Sequence, residues 1–137
     1  MHSIRTRANL TVKAFLFYTM QTTIIIHTFD SEFGLQRTDS CHVISDEEDI
    51  SVFLPIGIEL DVRLKDWISI SKLSNPKAFM SAFVNNQIRK SELETSLHLT
   101  IDQDNITFNL PETLELVISI ADWRKVADKI VLEIVST

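Results

Sequence analysis

The chain has 137 residues, 45% of them hydrophobic and 23% charged. That fits one globular domain burying roughly two-thirds of its unfolded surface without a disulfide or metal. Its single cysteine, Cys41, excludes an internal disulfide and fits a reducing, cytoplasmic setting. Three of the 13 bases, Arg5, Arg7 and Lys13, precede the first acid, Asp30, leaving 10 bases against 19 acids from residue 20 on, a balance of −9. This argues against nucleic acid and anionic membrane as partners and favours a basic one.

Residues 1–19 differ from the rest. Arg5 and Arg7 lead into an apolar stretch from Leu10 to Tyr18, and Met20 follows directly before a strand. A short signal sequence is interrupted by Lys13, and an acid-free transit peptide is a second reading. The reading adopted is that Met20 opens the working domain, with residues 1–19 an upstream extension or an extra strand. Residues 20–137 then form a single domain. Lys13, Gln21 and several threonines between Leu10 and Ile26 argue against a transmembrane helix.

Thr22 to Phe29 is β-branched and apolar, a strand. Asp30 to Ser40 is polar and reads as a loop, and Cys41 to Ile44 as a short strand. Ser45-Asp46-Glu47-Glu48 has capping-box spacing and predicts a helix start, limited by Pro55 to about two turns. Ile58 to Lys65 alternates strictly and is the best single strand. The same phase resumes at Ile68 and Ile70, predicting one long strand with a bend near Asp66 or, alternatively, a hairpin.

Asn75-Pro76 predicts a helix over 76–90, with Phe79, Met80, Phe83, Val84 and Ile88 as its apolar stripe. A hairpin follows. Leu97, Leu99 and Ile101 in one arm match Leu110, Phe108 and Ile106 in the other, joined by Asp102-Gln103-Asp104-Asn105. Leu114 to Ile118 is another strand. Ser119 and Asp122 open a helix over 120–134, with Lys129 to Val135 alternatively a closing strand. We read no internal repeat. The expected fold is α+β: a largely antiparallel sheet of about five to seven strands, with the helices at 76–90 and 120–134 packed on one face.

Chemical signatures are absent from this pattern. Gly34 and Gly57 stand too far apart for a phosphate-cradling loop, so no nucleotide cofactor is expected. His2, His27, His42 and His98 lack metal-ligand spacing, and no metal is expected. Cys41 and His42 are neighbours, but successive strand residues point to opposite faces, so Cys41 reads as a half-buried thiol. Asp102-Gln103-Asp104-Asn105 begins like a calcium loop but lacks its glycine and distal glutamate, and reads as a turn.

The densest charge run is Asp46-Glu47-Glu48-Asp49, with Phe53 nearby as an apolar anchor. Those five residues are the candidate binding site, because acids beside an aromatic anchor suit docking to a cationic protein. The expected function is a small, acidic, non-catalytic protein-binding protein. It would neutralise or escort a basic partner, as immunity, anti-defence and secretion-chaperone proteins do. One alternative is a homo-oligomeric structural or assembly component, such as a phage or shell protein, using exposed strand edges. Another is a hydrolase or transferase whose site assembles in space from His27 or His42 with Cys41 or a carboxylate.

Overall fold

The computed structural model describes residues 20–136, apart from 56, 89, 112 and 113, with side chains described through Ile130. Eight strands follow one another: β1 (Met20–Asp30), β2 (Leu35–Ser45), β3 (Asp49–Leu54), β4 (Ile58–Arg63), β5 (Lys77–Asn86), β6 (Ser91–Ile101), β7 (Asn105–Leu110) and β8 (Leu114–Ser119). Helix α1 (Leu64–Ser71) leaves β4 and helix α2 (Ile120–Ser136) leaves β8. Every strand pairs antiparallel with its neighbour in sequence, and β1 pairs with β8, so the sheet closes into a barrel.

Alternation along each strand decides what fills the barrel. Ile24 and Ile26 of β1, Cys41 and Val43 of β2, Leu97 and Leu99 of β6, and Phe108 of β7 are all buried. An eight-stranded barrel is just wide enough to be filled by such side chains. The intervening residues face out and are mostly polar, the reverse of a membrane-spanning barrel, whose outer band is apolar. No described helix is long and apolar enough to cross a membrane.

The two helices meet through Trp67 and Trp123, both fully buried. Their rings stack with centroids 3.7 Å apart and planes 6° from parallel. Each indole donates to the backbone carbonyl of the other: Trp67 Nε1–H to Trp123 O at 3.0 Å, and Trp123 Nε1–H to Trp67 O at 2.9 Å. The exchange is that of a two-fold axis passing between the rings.

That symmetry runs through the whole chain. The two tryptophans lie 56 positions apart, and the same offset carries β2 onto β6, β3 onto β7, β4 onto β8 and α1 onto the start of α2. It carries the strand registers too: Thr22↔Val43 becomes Ala78↔Leu99, and Asp49↔Arg63 becomes Asn105↔Ser119. Strands β3 and β7 have identical burial patterns. The turns repeat as well. Asp46 Oδ1 accepts from the N–H groups of Glu48 and Asp49, as Asp102 Oδ1 does from Asp104 and Asn105. Leu64 N–H bonds to Glu48 O, and Ile120 N–H to Asp104 O. Gly34 and Lys90 occupy the same turn position, both with positive φ, 66° and 53°. The chain is a tandem duplication of a four-strand, one-helix unit, residues 20–75 and 76–131, in which ten aligned positions are identical. The expectation of no internal repeat is therefore corrected.

The α+β expectation is overturned as well. The sheet is a closed barrel with no open face for helices to cover. Residues 76–90 are not a helix but β5 and the turn after it, with Met80, Ala82 and Val84 inside and Phe79 and Phe83 outside. The polar stretch from 30 to 40 is a turn followed by half of β2, and 45–48 is the end of β2 and a hairpin turn, not a helix start. Strand β4 ends at Arg63, and the residues beyond it form α1 instead of a bent strand. The hairpin register Ile101↔Ile106, strand β8 and the helix from 120, helical through Ser136, agree with the sequence reading. The readings of residues 1–19 lie outside the described residues.

Candidate functional site

The outer face of β3 to β6 collects acids through the sheet register. Ser51, Asp61, Phe83 and Glu94 stand side by side across four strands, and Phe53, Glu59, Asn85 and Glu92 form the next row. Beyond the pair Val62–Ala82 the ladder between β4 and β5 stops, because β4 turns into α1 while β5 continues towards Lys77. The seam left there holds a cavity of about 700 Å³. Six acids line it, Glu47, Glu48, Asp49, Asp61, Asp66 and Glu94, against two bases, Arg63 and Lys65. Leu64, Ser81, Ala82 and the exposed Phe83 complete the wall.

Crowding of carboxylates at this face has a protonation consequence. Asp61 Oδ1 accepts from Ser51 Oγ at 2.5 Å and Asp61 Oδ2 from Asn85 Nδ2 at 3.0 Å. Glu59, two residues away on the same face, is pushed up to about 7 by partial burial, by a hydrogen bond with Asp61, and by the charges of Asp61 and Glu92. The outer face beside the seam thus holds one carboxyl group poised to take a proton near neutrality.

The seam related to this one by the repeat is a built-in comparison. At the positions 56 residues away, Glu47 becomes Gln103, Asp49 becomes Asn105, Asp61 becomes Val117 and Glu94 is matched by Thr38. The equivalent seam, between β8 and β1, is also closed. Asp122 Oδ2 accepts from Ile25 N–H at 2.9 Å, and Lys125 Nζ donates to Thr23 O at 2.7 Å. A shallower hollow of about 420 Å³ beside it is lined by His27, Thr38, Arg37, Glu115 and neighbours. Crowded acids and an open seam therefore occur together, at one of the two seams only.

Of the residues singled out by sequence, Glu47, Glu48 and Asp49 reach the cavity. Asp46 is spent on its turn. Phe53 lies off the cavity, on the same outward face of β3 as Asp49, half-exposed beside Glu59. The sequence reading missed Asp61, Asp66, Phe83 and Glu94, which are distant in the chain and joined only by the register. Cys41 is in the core, its thiol pushed up to about 11, chiefly by burial, more enclosed than the half-buried expectation. His42 points outward, so Cys41 and His42 do not meet. His27 Nδ1 pairs with Thr38 Oγ1 at 2.9 Å on the outside. The described residues contain no group of three or more His, Cys, Asp or Glu placed to hold a metal.

Fold and site together define a tandemly duplicated antiparallel barrel with a single open, acid-lined seam among the described residues. The chain matches no protein-family model, no curated protein and no solved structure.

Proposed function

We propose that this is a small, non-catalytic, cytoplasmic protein that binds another protein of basic character at the β4–β5 seam, neutralising or escorting it. The observation that carries the reading is the asymmetry of the duplicate. The open seam has Glu47, Asp49, Asp61 and Glu94 where the closed seam has Gln103, Asn105, Val117 and Thr38. The β7–β8 hairpin keeps the register of the β3–β4 hairpin with Asn105 and Val117 in place of Asp49 and Asp61. Opposite charge at a concave site speeds association and selects cationic partners. Phe53 and Phe83, half-exposed among the acids, supply the apolar contact that charge alone lacks.

The test replaces site residues with those of the other seam. Tagged wild-type chain and the variant Asp49→Asn/Glu94→Thr are used to recover partners from the native host. The reading expects one stoichiometric basic protein with the wild type, released by moderate salt and at least tenfold depleted with the variant. Equal recovery by both removes the seam from the interaction.

A further inference from the structure

We propose that the β4–β5 seam receives an extended, lysine- or arginine-bearing segment of the partner polypeptide as an added strand along β5. This rests on the protein-binding reading above and specifies how the partner is held. Strand β5 pairs with β6 over its whole length, from Lys77 to Asn86, but with β4 only from Ala82 onwards. On the β6 side, the carbonyl of Pro76 accepts from Ile101 N–H. By the alternation of an antiparallel ladder, the backbone groups of Lys77, Phe79 and Ser81 therefore face the seam. A row of such donors and acceptors is the template on which peptides add as strands.

The β8–β1 seam shows what closing this edge requires. There the equivalents of Ser81 and Phe79 are Ile25 and Thr23, whose N–H and C=O are taken by Asp122 and Lys125. In the first half those two helix positions are Asp66 and Ser69. Among the described residues neither makes the corresponding bond, and a serine is too short to replace the reach of a lysine. In place of a lysine across the edge there is the 700 Å³ cavity, with Asp66 on one wall and Ser81 on another. Charge names the occupant. A strand laid along β5 places alternate side chains on the outer face, among Asp49, Asp61 and Glu94, where lysine and arginine are favoured and acidic residues repelled.

The probe is a labelled decapeptide alternating lysine and valine, titrated into the full chain. Its companions are a glutamate–valine analogue and a lysine–valine peptide N-methylated at alternate backbone nitrogens. The proposal expects binding of the lysine peptide that weakens with salt, and none of the glutamate peptide. It expects at least tenfold weaker binding of the N-methylated peptide in the register facing β5, and at least tenfold slower hydrogen exchange at the Ser81 amide in the complex. If the N-methylated peptides of both registers bind as well as the parent and Ser81 exchange is unchanged, strand addition is overturned while a basic partner at the seam stands. If the lysine peptide does not bind, or binds Asp49→Asn/Glu94→Thr equally well, the reading of the seam itself falls. Self-association that buries the Ser81 amide without any peptide overturns the proposal in favour of a second copy of this chain.

Discussion

Glu59 is the residue whose surroundings make the clearest solution prediction. Its folded carboxyl titrates near 7, above the ordinary value of 4.5. Between those two pH values the folded chain keeps a proton that the unfolded chain has lost, so this group's contribution to stability falls as pH rises through that window. Glu59→Gln removes the penalty. Denaturant unfolding at pH 5 and pH 8 is expected to show the variant gaining over wild type mainly at pH 8; an equal difference at both would contradict the assignment. The stacked tryptophans give a second prediction. Trp67→Phe and Trp123→Phe each remove one indole N–H and leave a buried carbonyl without its donor. Each is expected to cost about 1–3 kcal/mol in unfolding experiments, by similar amounts. A several-fold inequality would contradict the mirrored arrangement. At Gly34 a side-chain Cβ would meet nothing within 4 Å, so Gly34→Ala tests backbone strain alone, at about 1–2 kcal/mol. Lys90→Gly, at the equivalent turn, is expected to change stability in the opposite direction.

Elements were legible in the sequence where one face is wholly apolar. The arms around 102–105, strand β8 and strand β4 alternate cleanly, and Ser119 announces α2 by accepting from Asp122 N–H at 3.0 Å. Helix α1 has no such signal, because Arg63 stands where Ser119 stands and makes no side-chain cap. Its first residues continue the alternation of β4, so the change of period was hidden. Strand β5 failed for the opposite reason. Phe79, 68% exposed, and Phe83 lie on the outer face; added to the inward Met80 and Val84, they imitate a helical stripe. Edge protection is also an element-scale matter. Asp122→Ala takes the acceptor from the Ile25 amide, and faster hydrogen exchange at that residue, with a loss of about 1 kcal/mol, is expected. Unchanged exchange at Ile25 would show that α2 does not cap β1.

The duplication was the feature of the whole molecule least visible in the chain and most useful once seen. The ten identical pairs are scattered, and only Asp66-Trp67 with Asp122-Trp123 and Leu54-Pro55 with Leu110-Pro111 and Glu59-Leu60 with Glu115-Leu116 are adjacent. Aligning them would have identified 76–86 as the counterpart of 20–30 and fixed it as a strand. The candidate site was half legible for a related reason. The run at 47–49 is local, whereas Asp61, Asp66 and Glu94 join it only when the register of β3 to β6 is known. Closure of the barrel also removes most of the exposed strand edges that an assembly by edge pairing would use, leaving the β4–β5 seam as the place where the two halves part company.

That difference between the two seams is the central claim, and the molecule carries its own control. Amide chemical shifts of the labelled chain, followed while the lysine–valine peptide is added, test it most directly. Shifts at Asp61, Ser81, Phe83 and Glu94, with Val117, Ile25, His27 and Thr38 left unmoved, are the expected result. Equal shifts at both seams, or at neither, would contradict it.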